Sequence, residues 1–139
     1  VARFFGRFEH TIDDKGRLTL PAKFRGPFER GGYLTQGLDG CLALWTPEEF
    51  EAQTEAMQVR AAATQADRHL VRLWASSSVE LTPDRQGRIL VPSRLRTFAG
   101  LDDDVLVLGV IDRVEIWDPE RWDLRVGPQE QRLTDGSDL

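Results

Sequence analysis

Asp13-Asp14-Lys15-Gly16-Arg17-Leu18-Thr19-Leu20-Pro21-Ala22-Lys23-Phe24-Arg25 returns 71 positions later as Asp84-Arg85-Gln86-Gly87-Arg88-Ile89-Leu90-Val91-Pro92-Ser93-Arg94-Leu95-Arg96. The leading Asp, the Gly, the Arg after it, the Pro and the closing Arg are identical. Leu18/Ile89, Leu20/Val91, Lys23/Arg94 and Phe24/Leu95 keep their chemical class. At an offset of 72 the echo continues with Gly37/Gly109, Trp45/Trp117, Pro47/Pro119, Glu48/Glu120 and Phe50/Trp122. A long period shown twice signals a duplicated small domain, because stacked repeat arrays need at least ~3 units to bury a core. The 139 residues are close to the usual size of one domain. The two halves are therefore expected to share one core about an internal pseudo-two-fold.

Working outward, each repeat reads in the same order. Arg7-Phe8-Glu9-His10-Thr11-Ile12 and Ser78-Val79-Glu80-Leu81-Thr82 alternate apolar and polar residues, as half-buried strands do. A tight connection containing Gly16 or Gly87 leads into Arg17–Leu20 or Arg88–Val91, so strand, Gly turn and strand predict a β-hairpin. Pro21 and Pro92 mark the start of a short helix with Phe24, Phe28, Leu95 and Phe98 facing inward. Two further strands follow in each half, with Asp39-Gly40 as a turn signal between the first pair. Thr46-Pro47-Glu48-Glu49 and Asp118-Pro119-Glu120-Arg121 each supply a capping residue, a first-turn proline and early acid, a helix start. Residues 48–75 hold no proline or glycine and predict one long or two consecutive helices, with Leu70, Leu73 and Trp74 as the packing stripe. The predicted layout is a first domain over 7–50, a helical linker over 51–77, a second domain over 78–122 and a polar tail over 123–139. From Gly127 onward the tail is expected to be frayed or disordered. The fold class is mainly β with short α-helices, an α+β chain.

Hydrophobic content of 40% and charged content of 29% suit a soluble globular protein. No apolar run reaches the ~20 residues of a membrane helix. Val1-Ala2-Arg3-Phe4-Phe5 lacks the apolar stretch of a secretory signal, so a cytoplasmic location is expected. Cys41 is the single cysteine, which excludes an intrachain disulfide. The net charge of −5 is unevenly spread. Residues 1–30 carry seven Lys/Arg against four Asp/Glu, whereas residues 99–139 carry four against eleven. Local charge, not the total, sets a binding face. The acidic C-terminal third is read as a solubility feature.

No catalytic constellation is visible. His10 and His69 stand in no metal-ligand spacing, and both glycine-rich phosphate-loop patterns are missing. Cys41, on an apolar strand, reads as a small core residue. No enzyme activity, cofactor, metal or small-molecule ligand is expected. The chemistry that is present is the repeated Asp-x-x-Gly-Arg. One copy would be an ordinary turn, since Asp and Gly are turn residues. Two copies at matching positions, each followed by further basic residues, point to a shared cationic face. Lys15, Arg17, Arg85 and Arg88 would sit near the tips, with Lys23, Arg25, Arg94 and Arg96 on the following helices. Arginine's planar fork takes two phosphate oxygens or the O6/N7 edge of guanine, and a two-stranded ribbon fits the DNA major groove.

These residues carry a resemblance. His10–Arg25, Gly37-Leu38-Asp39-Gly40-Cys41-Leu42, Gly87–Pro92 and Glu115-Ile116-Trp117-Asp118 resemble the MraZ family of bacterial transcription regulators, over about Arg7 to Trp122. The resemblance implies two tandem AbrB-like swapped-hairpin repeats sharing a pseudo-two-fold β-barrel core. It implies closed homo-oligomeric rings on double-stranded DNA and a nucleoid-associated place in the cytoplasm. It also implies repression through direct repeats in the promoter of the chain's own division and cell-wall gene cluster. The family's Asp-x-x-x-Arg motif maps onto Asp13/Arg17 and Asp84/Arg88. The expected interface is thus Asp13, Lys15, Gly16, Arg17, Lys23, Arg25, Asp84, Arg85, Gly87 and Arg88. Arg17 and Arg88 would contact DNA, and Lys15, Arg85, Lys23 and Arg25 would support them on phosphates. The second copy has Arg85-Gln86 where the first has Asp14-Lys15, so the tips differ. The alternative is an AbrB-like protein-binding module of the antitoxin type. The acidic tail, poor in Trp and Tyr anchors, argues against it.

Overall fold

A computed structural model describes residues 1–136 of the protein. The first repeat contributes β1 (Phe4–Thr11), β2 (Arg17–Thr19), α1 (Ala22–Arg25), β3 (Gly32–Gln36) and β4 (Leu42–Trp45). Helices α2 (Pro47–Ala61) and α3 (Gln65–Ser77) follow. The second repeat contributes β5 (Val79–Leu81), β6 (Arg88–Leu90), α4 (Ser93–Ala99), β7 (Asp104–Ile111) and β8 (Val114–Trp117), and α5 (Pro119–Arg125) and α6 (Gly127–Thr134) close the chain. The fold is α+β, with antiparallel strands throughout.

Six strands form one sheet in the order β1-β7-β8-β4-β3-β5, and β2 and β6 form a separate two-stranded ribbon. Named by place in the repeat, the sheet reads first, third, fourth, fourth, third, first. That palindrome is the internal two-fold. Its axis passes through Ala43↔Glu115 at the β4–β8 junction and through Leu18↔Ile89 in the ribbon, so the repeat-related residues are themselves cross-strand partners. Each repeat lends its first strand to the other's third: β1 pairs with β7, and β5 with β3.

Two expectations change here. The predicted hairpins do not zip into ladders within one repeat. After the turn a lone bridge, Ile12↔Leu18, remains, and β2 leaves to pair with β6. Leu18 and Leu20 are wholly buried, and covering them draws β2 across the sheet. Hydrogen bonding also leaves an open sheet plus a ribbon, not one continuous barrel.

The main core lies between one sheet face and the layer of ribbon, α1 and α4. Leu34, Leu42, Leu44, Val105, Val107, Val114 and Ile116 face it from the sheet; Leu18, Leu20, Phe24, Phe28, Ile89, Val91 and Leu95 face it from above. Alternate residues point the other way, as a period of two requires. On that second face Cys41, Leu106, Leu108 and Trp117 pack with Trp122 and Val126. Burial pushes the Cys41 thiol up to about 12. Tyr33, Phe50 and Trp74 stack in a column that fastens α2 and α3, with centroids 3.9 and 5.3 Å apart.

The helix starts follow their caps. Thr46 Oγ1 accepts from the Glu49 N–H at 3.3 Å, and Asp118 Oδ2 accepts from the Arg121 N–H at 3.0 Å. Of the expected stripe on α3, Trp74 is buried and Leu70 half-buried, but Leu73 stays 55% exposed. The face runs through 70, 74 and 77, and Leu73, turned by about 100° from Trp74, lies outside it. The expected disorder from Gly127 gives way to α6, with Pro128 in its first turn, Glu130 near its N-terminus and Arg132 near its C-terminus. Residues 137–139 of the expected tail lie outside the described residues. No helix among the described residues is long and apolar enough to cross a membrane.

Leu18 is fully buried on the ribbon axis, whereas Leu90, on the same ribbon, is 58% exposed. In urea titrations Leu18→Ala should lose about 2–5 kcal/mol of stability. Leu90→Ala should stay within about 0.5 kcal/mol.

Candidate nucleic-acid interface

Both turns are built identically from Asp and Gly. In the first, the Asp13 N–H donates to the Arg17 carbonyl at 2.9 Å, and the Gly16 N–H donates to the Asp13 carbonyl at 3.0 Å. In the second, the Asp84 N–H donates to the Arg88 carbonyl and the Gly87 N–H to the Asp84 carbonyl, both at 2.9 Å. Gly16 and Gly87 take φ of +81° and +77°, where a side chain is strained.

Each carboxylate then divides its oxygens the same way. Asp13 Oδ1 accepts from the N–H groups of Lys15 (3.0 Å) and Arg17 (2.8 Å), and Oδ2 accepts from Arg17 Nε at 2.8 Å. Asp84 Oδ1 accepts from Gln86 and Arg88 N–H at 2.9 Å, and Oδ2 from Arg88 Nε at 2.7 Å. Both carboxyls are held below the usual 3.8, chiefly by the backbone N–H of Arg17 or Arg88, against partial desolvation and with help from the guanidinium. Such partly exposed ion pairs add little stability. Their effect is geometric: Asp fixes the Nε edge, and the Nη edge makes no hydrogen bond to any described residue.

The ribbon sets both arginines on one face. Its register pairs Arg17 with Leu90, Leu18 with Ile89 and Thr19 with Arg88. Leu18 and Ile89 point into the core, so Arg17, Thr19, Arg88 and Leu90 share the outer face. Arg17 and Arg88 are diagonal neighbours across the axis.

Lys15 and Arg85 are exposed at their tips. Arg25 is half-buried, its Nε donating to the Leu20 carbonyl at 2.8 Å. Lys23 is not brought to the tips. It leaves α1 on another side, two positions from Arg25, and its Nζ lies beside Gly6 of β1. Arg96, outside the expected set, copies Arg25, with Nε donating to the Val91 carbonyl at 3.1 Å. The signal for it was in the repeat, since Arg25 and Arg96 are its identical closing arginines. The surroundings of the tips differ. The Ile12 N–H donates to the Asp103 carbonyl at 2.8 Å, setting the exposed run Asp102-Asp103-Asp104 beside the first turn. At the second, Pro83 replaces Ile12 and has no N–H. The chain running past that tip is Arg30-Gly31-Gly32, with Gly32 paired to Leu81. Among the described residues no group of three or more His, Cys, Asp or Glu could hold a metal ion.

Fold and site together define a duplicated α+β protein with paired Asp–Arg turns at the ends of one ribbon. A family model described as "MraZ protein, putative antitoxin-like" matches residues 4–73 and 75–133. The chain is 42% identical over 135 residues to the transcriptional regulator MraZ of Frankia alni, covering 97% of this chain and 94% of that one. It is 42% identical over 132 residues to that of Clavibacter michiganensis subsp. michiganensis (95% and 92%), and 43% identical over 119 residues to that of Thermomicrobium roseum (86% and 84%). The chain belongs to the MraZ family. These relatives carry the name of a regulator, not of an enzyme.

Because the folded carboxyl pKa is depressed, the contribution of Asp13 to holding its turn is complete above the unfolded value. It is lost as pH falls through the folded value, below 3.8. Carbon-13 NMR titration of Asp13 should give a midpoint below 3.8. In Arg17→Ala the midpoint should rise only part of the way, because the backbone N–H bonds, the larger cause, survive.

Proposed function

We propose that the chain is a sequence-specific regulator of transcription that binds double-stranded DNA through the β2–β6 ribbon and its two tips. The observation that carries this reading is the shared outer face of Arg17 and Arg88, each held by its Nε edge while the Nη edge makes no hydrogen bond to any described residue. An antiparallel ribbon is of a size for the major groove, and an Nη-directed fork suits guanine or phosphate. Thr19 and exposed Leu90 occupy the other diagonal of that face, and an apolar group there suits a thymine methyl. Asp13 and Asp84 orient their arginines and do not face phosphate. The exchange of first strands between halves supports a reading as two AbrB-like swapped-hairpin repeats, with boundaries near 7–50 and 78–122.

One chain with so few outward cations binds weakly, and a closed homo-oligomeric ring corrects this, since linked sites raise affinity by ~10²–10⁴. Like-oriented subunits around a ring suit direct repeats; an isolated dimer suits a palindrome. Repression of the promoter of its own division and cell-wall gene cluster, from a nucleoid-associated position in the cytoplasm, completes the proposal. The names of the MraZ relatives support its regulatory part.

Binding to DNA from upstream of the gene should weaken with salt, the logarithm of affinity falling with that of salt at about −0.9 per phosphate neutralised. Arg17→Ala and Arg88→Ala should each cost roughly 1–3 kcal/mol of specific binding, with melting temperature and oligomer size unchanged. Wild-type affinity in both variants would remove the tips from the interface.

A further inference from the structure

The two closing arginines of the repeat do not serve their own turns. Ribbon pairing continues at both ends beyond its named strands: the Val91 N–H donates to the Gly16 carbonyl at 2.8 Å, and the Leu20 N–H to the Gly87 carbonyl at 2.9 Å. Arg96, on α4 of the second repeat, donates its Nε to the Val91 carbonyl and lies over Gly16 of the first. A Cβ built on Gly16 would stand 3.3 Å from both Cζ and Nη2 of Arg96 and 3.2 Å from the Val91 carbonyl oxygen. Arg25, on α1 of the first repeat, donates its Nε to the Leu20 carbonyl and covers Gly87 of the second. A Cβ there would meet Arg25 Cδ at 2.6 Å and Cζ at 2.8 Å. The same device occurs twice, related by the internal axis.

We propose that Arg25 and Arg96 are crossed positioning residues, each clamping the Gly turn of the opposite repeat and thereby aiming the Asp-held arginine of that turn. Arg96 acts through Arg17, and Arg25 through Arg88. The chemistry is specific. Nε fixes the guanidinium plane against a carbonyl at the ribbon end, and the flat group then roofs a residue with no side chain to displace it. A positive φ and a close roof both demand glycine at the same position. A lysine could reach the carbonyl but has no plane to lay over the turn. The inference rests on the DNA-binding reading for its consequence, not for its geometry.

Amide hydrogen exchange on the full chain tests the geometry without DNA. Arg96→Ala should cost protection in residues 13–17 and leave 84–88 at the wild-type rate, and Arg25→Ala should do the reverse. Loss confined to the variant's own repeat, equal loss at both turns, or no loss overturns the clamp. If the alanine variants do not fold, Arg25→Lys and Arg96→Lys are read in the same way. Double-mutant cycles on upstream DNA test the consequence. Arg96→Ala should weaken binding several-fold alone and in Arg88→Ala, but by less than about twofold in Arg17→Ala. Full additivity with Arg17→Ala would make Arg96 a separate DNA ligand and overturn its positioning role. Absence of wild-type binding to that DNA would sink the DNA-binding reading, while the exchange result still decides the clamp.

Discussion

The structure depends on one contact repeated upon itself: Leu18 against Ile89, two equivalent side chains meeting on their own symmetry axis and buried to 0% and 1% exposure. Burying each is worth about 1.5–3 kcal/mol, and neither can be buried within its own half. Strands β2 and β6 have three residues each, too few to hold together without a partner. Strand β1 finds its hydrogen bonds on β7. Each half therefore folds by lending strands to the other. Tying both halves into one chain makes that exchange intramolecular, which raises the effective concentration of the missing half.

Outward geometry follows from the inward contact. Once Leu18 and Ile89 point into the core, alternation along the ribbon sends Arg17 and Arg88 to the opposite face, whatever else the chain does. Asp13 and Asp84 then remove the remaining freedom by taking up the turn N–H groups and the Nε edge together. What is presented is a pair of guanidinium forks with few soft torsions left to freeze, and such preorganisation lowers the entropy cost of binding.

Much of this was legible in the residues. The offsets of 71 and 72 foretold the axis, and residues related by them became cross-strand partners at Leu18/Ile89 and Ala43/Glu115. Caps such as Thr46 and Asp118 located helices, because a capping oxygen acts within a few residues. What was hidden is long-range. A three-residue strand carries no periodic signal of its partner, so the alternation that marks Leu18 as inward is silent on whether β1 or β6 lies beside it. Lys23 and Arg25 look alike in sequence, yet helical rotation sends one along β1 and the other over Gly87. Arg96 was visible as a repeat of Arg25, but its action on Gly16 depends on the strand exchange that short strands conceal. Helix α6 is not legible because its residues are polar, and polarity marks exposure more surely than disorder.

Duplication within one chain also frees the halves to differ, which two identical subunits could not do. The first turn reads Asp13-Asp14-Lys15-Gly16-Arg17 and is flanked by Asp102-Asp103-Asp104; the second reads Asp84-Arg85-Gln86-Gly87-Arg88 and is flanked by Arg30-Gly31-Gly32. Within the two turns the backbone hydrogen bonds are the same, so the difference lies in what flanks them, chiefly in charge. Toward a polyanion the second tip, where Arg85 and Arg30 stand against Asp84 and Glu29, is the less repelling of the two. In the proposed reading the first, with Asp102-Asp103-Asp104 beside it, approaches only where specific hydrogen bonds outweigh local repulsion. An identical pair would favour a palindrome; a pair with one less repelling and one discriminating tip has a direction along the helix. In the proposed reading that polarity lets one chain recognise an oriented element and lets a ring of such chains follow direct repeats.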